Sequence, residues 1–243
     1  MGSTLKVSNL LIIYSIAYFL IVISPYFVVI AAPGAGLGWV PDTIDLILYF
    51  PVFGIILLEL FRNVVPNDAP KSLQYLILLA IMLHFYGHGF HWAANAINTR
   101  IPANSELTVK EWAYFLDEIL GHKIMFGGLL LFVFSMSFCE IVYTKYGAEQ
   151  YSRTKLALFA MFQGVTLTLA FIEGQFIYDA FVLIAIYTIF LAALGKKFEN
   201  FREILKKPFV FFWLVTLLSI YLWSALYILL FGGLFQPSEL YGF

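Results

Sequence analysis

The chain has 243 residues, of which 62% are hydrophobic, 19% aromatic and only 12% charged, with a mean hydropathy of +0.88. Water-soluble domains carry about 25% charged residues, so this composition excludes an ordinary soluble fold and points to lipid as the solvent. A net charge of −1 offers no electrostatic footprint for nucleic acid, and the single cysteine, Cys139, excludes an internal disulfide.

A helix that crosses a hydrocarbon core of about 30 Å needs about 20 apolar residues. Seven stretches meet that length: residues 9–32, 43–62, 73–97, 122–144, 155–173, 175–195 and 208–231. The first is too long for the apolar core of a secretory leader and reads as a retained helix. Pro33, Gly34, Gly36 and Pro41 break the chain after it, and Asn67, Asp68 and Pro70 break it after the second. The longest connection, residues 98–121, separates the third stretch from the fourth. Within it Thr108 and Glu111 have the spacing of a helix-starting capping box. Trp112, Phe115, Leu116 and Ile119 follow at helical spacing, so residues 108–120 are expected to form a short amphipathic helix at the outer interface. The fifth and sixth stretches meet at Glu173, Gly174 and Gln175, a tight reversal.

Basic residues set the orientation. Of the 14, 11 lie on alternate connections: Lys6, Arg62, Lys71, Lys145, Arg153, Lys155, Lys196, Lys197, Arg202, Lys206 and Lys207. Arg100, Lys110 and Lys123 lie on the other side. The positive-inside rule then puts the amino terminus in the cytoplasm and the carboxyl terminus outside, as an odd number of spans requires. The expected fold is all-α: a single seven-transmembrane-helix domain, multi-pass in a cell or plasma membrane.

All four histidines fall between residues 84 and 122. At 100° per residue His84, His88, His91 and Asn95 project from one helical stripe about 60° wide. Gly87 and Gly89 lie beside it, where small residues let a second helix approach. The fourth span begins with Asp117, Glu118 and, four residues after Glu118, His122. Glu118 and His122 share a face there, whereas Asp117 points about 100° away and is the weaker candidate. Glu173 and Asp179 reach the same outer level. Glu59 and Glu140, near the opposite ends of their spans, read as snorkelling or paired, and Gln163, Thr166 and Thr168 as interhelical hydrogen bonders.

Ionisable side chains within a membrane mark functional sites, and imidazole is a ligand for zinc, copper and iron. His88, His91 and His122 form the preferred three-ligand set, with His84, Glu118, Asp117 and Glu173 as further ligands or proton carriers. Catalytic zinc keeps three protein ligands and an open position for water, so Glu118 would act as general base and Asn95 would orient substrate. Zinc is the first expectation, with iron or copper as alternatives. A site near the outer leaflet under a lid-like helix suits a membrane lipid or another apolar small molecule. A metal-dependent hydrolase of a lipid ester or amide is therefore the leading reading. A haem, copper or di-iron redox protein and an accessory subunit of a larger membrane complex stay open. Transport is disfavoured, because the inner halves of spans three and four offer little beyond Glu140. The architecture resembles that of seven-span, zinc-dependent lipid amidases of the alkaline ceramidase type. The resemblance stops there, because the last span has no histidine, aspartate or glutamate and no residue role carries over. It has no lysine for a retinal Schiff base either.

Overall fold

The computed structural model describes residues 5–31, 49–98, 101–102, 106–144, 150–198, 200–237 and 240, with side chains for all but 23–31 and 98. The expected break at Pro33, Gly34, Gly36 and Pro41, and residues 43–48 of the second expected span, lie outside the described residues. Every regular element among those described is helical. Helix α1 spans Val7–Ala31, α2 Phe50–Val64 and α3 Lys71–Asn98. Helix α4, Leu107–Tyr114, runs through a π-helical stretch, Phe115–Gly121, into α5, His122–Val142. Then follow α6, Arg153–Glu173; α7, Ile177–Lys197; a single turn, α8, Phe201–Ile204; and α9, Pro208–Phe231.

Among the described residues, five helices are long and apolar enough to cross a membrane: Lys71–Ile97, Leu107–Val142, Arg153–Glu173, Ile177–Lys197 and Pro208–Phe231. Their sequences dictate this form, since a backbone in hydrocarbon must satisfy its own hydrogen bonds and a helix does so within one segment. Local signals set the ends. Ser152 Oγ accepts the Lys155 N–H at 3.3 Å, Pro208 opens α9, and Gly232 closes it in the left-handed region at φ 77°. The amphipathic stretch expected at 108–120 is helical and continues unbroken into α5, making one helix of 36 residues. It does not start on the expected capping box. Glu106 stands at the N-cap without a side-chain bond, and Thr108 already lies inside the first turn. A capping residue must be extended, so Thr108 cannot serve.

Helix α3 lies directly against the long helix. A Cβ on Gly87 would stand 2.2 Å from the Met125 backbone nitrogen and 2.7 Å from the Gly121 carbonyl oxygen, and one on Gly128 would stand 2.5 Å from the His84 nitrogen. The backbones meet here, an approach only glycine allows. Gly89, paired with Gly87 in the sequence reading, is different: its Cβ would meet only the Phe50 ring, in ordinary contact at 3.9 Å. On the other side of the bundle α6 packs between α1 and α9. Ser15 Oγ donates to the Phe159 carbonyl at 3.0 Å and Thr216 Oγ1 to the Ala160 carbonyl at 3.1 Å.

Two acidic residues read as snorkelling or paired separate. Glu59 pairs with Arg62 at 2.7 Å on the surface. Glu140 does not snorkel: it is fully buried, and its two oxygens accept the N–H groups of Phe209 (3.3 Å) and Val210 (2.9 Å). A carboxylate of α5 thus caps the start of α9, where unpaired N–H groups and the helix dipole favour negative charge. Lys207 Nζ closes the same corner by donating to the Glu140 carbonyl at 2.8 Å.

Candidate histidine–carboxylate site

The histidine stripe of α3 faces the long helix, and each ring is held there through Nδ1. His84 Nδ1 lies 2.9 Å from the Met125 carbonyl oxygen, and His88 Nδ1 lies 3.3 Å from Met125 Sδ. His91 Nδ1 lies 2.5 Å from Asp117 Oδ1. His122 Nδ1, on α5 itself, lies 3.2 Å from the Glu118 carbonyl oxygen and 3.6 Å from Glu118 Oε2. Carbonyl, carboxylate and thioether groups only accept, so Nδ1 carries the proton in all four rings. Nε2 is then the nitrogen through which a neutral ring ligates a metal or takes a proton.

The rings are close but not equivalent. His91 and His122 have ring centres 4.3 Å apart, and His88 and His91 6.1 Å apart. His84 is committed on both sides: its Nε2 stands 2.7 Å from the Tyr49 hydroxyl, which donates to the neutral ring. Tyr49 also stacks on His88, with ring centres 3.7 Å apart and planes 17° apart. His84 therefore ties α2, α3 and α5 together.

The π-helical stretch decides which carboxylate meets which imidazole. On an ideal wheel Asp117 points away from the site, yet Asp117 is buried and bonded to His91, while Glu118 is only half-buried. Over Phe115–Gly121 the wider i→i+5 turn changes the rotation per residue, so the 100° wheel no longer applies. Asp117 thus meets His91, while Glu118 keeps its expected place beside His122. Such π stretches recur at functional sites.

A residue outside the sequence reading closes one side of the site. Gln236 Nε2 donates to Glu118 Oε2 at 3.4 Å and to the Glu173 carbonyl at 2.5 Å. Gly232 turns the chain back after α9, and the Tyr227 hydroxyl holds the returning segment by donating to the Phe235 carbonyl at 2.8 Å. A polar residue five positions past the last apolar run was the only signal for it. Glu173 joins the network through its backbone carbonyl. Asn95 is half-buried one turn beyond His91. Asp179 does not join the histidines: it pairs with Lys123 at 3.3 Å, both side chains being about half exposed. At the α6–α7 reversal a Cβ on Gly174 would stand 2.7 Å from the His122 ring, so glycine lets that backbone lie against the imidazole. The left-handed residue is its neighbour Gln175, at φ 50°, whose amide donates to the Tyr114 hydroxyl.

Among the described residues, no three histidine, cysteine, aspartate or glutamate side chains converge closely enough to hold a metal ion as they stand. Beside the site, at the end of α3, an open apolar groove of about 720 Å³ is lined by Trp92, Ala96, Ile97, Ile101 and Val109 among others. No family model matches the chain, and no curated protein or solved structure is significantly similar to it.

Proposed function

We propose that the chain is a seven-span protein of the cell membrane, amino terminus cytoplasmic and carboxyl terminus outside, that binds a metal ion between α3 and α5. His91 and His122 would supply two ligands through Nε2 and His88 a third, with zinc first and iron or copper as alternatives. One observation carries this reading: every histidine is fixed through Nδ1 by an acceptor, His91 by a carboxylate. Metal-ligating histidines make this outer hydrogen bond almost without exception, because it fixes the tautomer and aims the other nitrogen. Spacing agrees. With Zn–N of about 2.0 Å, two imidazoles on one tetrahedral zinc have ring centres about 5 Å apart. The 4.3 Å and 6.1 Å separations stand on either side of that value. Side-chain rotation of His88 would complete the set.

On this reading Glu118, beside His122 and partly exposed, would be the general base, and the metal would supply activation of water. The apolar groove past His91 receives a lipid or other apolar molecule, and the reaction is hydrolysis of its ester or amide bond. A second reading has its own support in the 2.5 Å His91–Asp117 bond and the lack, among the described residues, of a ready-made three-ligand cluster. There the pair acts as a metal-free acid–base dyad. Elemental analysis of the purified protein separates the two. The metal reading expects about one metal per chain, lost in His91→Ala and in His122→Ala while both variants still insert. Metal-free wild-type protein from metal-replete cells leaves only the dyad.

A further inference from the structure

Four buried side chains remote from the histidines hold polar atoms that find no hydrogen-bond partner among the described residues. They are Tyr14 Oη on α1, both amide atoms of Gln163 on α6, and Trp213 Nε1 and Ser224 Oγ on α9. Tyr14, Gln163 and Trp213 are completely shielded from the surface, and Ser224 nearly so. A polar group in this position is among the costliest a membrane interior can contain, since neither lipid nor bulk water satisfies it.

The four groups lie along one seam. Thr216 bonds Ala160, and the Gly164 backbone meets Ser219, so α6 and α9 run parallel in a defined register. The Ser15–Phe159 bond aligns α1 with them, and the rings of Tyr14 and Trp213 are 5.7 Å apart. In this register Trp213 lies about a turn before Ala160, Gln163 about a turn after it, and Ser224 further on. At 1.5 Å per residue these positions span about 16 Å of the seam. The three helices carry no charged side chain along this length, so nothing there compensates an ion. The Gln163 amide needs both a donor and an acceptor. The ligand must be small, neutral and able to do both.

We infer that the α1–α6–α9 seam binds a file of internal water molecules, anchored at Tyr14, Gln163, Trp213 and Ser224. The seam lies apart from the α3–α5 site and its hydration is independent of metal there. It gives the bundle a polar axis on the side that the histidines do not reach. The test is a crystal structure of the full chain from a lipidic phase, at a resolution that resolves water, with thermal unfolding of Tyr14→Phe and Gln163→Met. Hydration expects density within hydrogen-bond distance of the Gln163 amide and Tyr14 Oη. It also expects the midpoint of Tyr14→Phe, which removes one oxygen, to fall by about 2–4 °C. Should Gln163→Met fail to fold, the density and Tyr14→Phe still decide. Hydrocarbon alone around the amide, with Tyr14→Phe as stable as wild type or more so, overturns the inference, because replacing an unsatisfied group by an apolar one is neutral or stabilising.

Discussion

Asp117 lies towards one end of the continuous helix Leu107–Val142 and Glu140 towards the other, and both carboxylates are buried. Glu140 is engaged by two backbone N–H groups, which neither titrate nor bind metals, so its charge serves to start α9 at that place. Asp117 is engaged by an imidazole, which does both, and that imidazole stands beside a second one. Burial of an acid in a membrane helix therefore does not by itself distinguish scaffold from site. The chemical nature of the partner does.

Substitutions at the two ends put that contrast to the test. The largest effect is expected at Glu140. Glu140→Ala strips two charge-assisted hydrogen bonds from the first turn of α9 and should cost about 3–5 kcal/mol. Thermal unfolding in detergent reads it, and the metal content of the folded fraction should stay at the wild-type level. An undiminished midpoint would remove the structural role. Gly87→Ala comes next, because its methyl would press on the backbone of the partner helix. Overpacking of this kind costs about 1–3 kcal/mol. Gly127→Ala is the matched control, since a Cβ there meets nothing within 4 Å, and it should shift stability by less than about 0.5 kcal/mol. Equal losses in both glycine variants would mean that close approach does not hold the histidine row.

Asp117→Asn keeps the shape and one hydrogen bond but removes the charge facing His91. Metal affinity should fall by about 10–100-fold in competition with a chelating dye, with stability little changed. A loss of stability alone would make Asp117 a counterpart of Glu140. The smallest effect is expected for Gln236→Ala, about 1 kcal/mol for its shared hydrogen bonds. If affinity drops more than stability does, the returning tail is part of the site; an unchanged affinity leaves it as packing.

Much of the site was legible because a helix converts spacing into direction. His84, His88 and His91 were placed on one stripe, and all three face the long helix. Gly87 was recognised as a place of close approach. The limits are equally specific. The wheel set Glu118 beside His122 but misjudged Asp117, because a π-helical stretch between Phe115 and Gly121 changes the turn, and no residue in that stretch announces it. For Glu140 the sequence left snorkelling and pairing open, because the groups that satisfy it belong to a span roughly 70 residues away in sequence. Gln163 was assigned an interhelical bond that is absent among the described residues, because helical spacing names a face without naming what lies across it.

Composition and the lengths of the apolar runs determined, without any structure, that this chain forms long helices apolar enough to cross a membrane. Those properties depend on transfer free energies that add residue by residue along the chain. The pairing of His91 with Asp117, the commitment of His84 to Tyr49, and the choice of Glu140 as a helix cap were decided only by tertiary structure. Each depends on two segments arriving at one depth and rotation. A few ångströms or tens of degrees, as a single π turn supplies, determine whether a charged side chain meets an imidazole, a backbone amide or hydrocarbon.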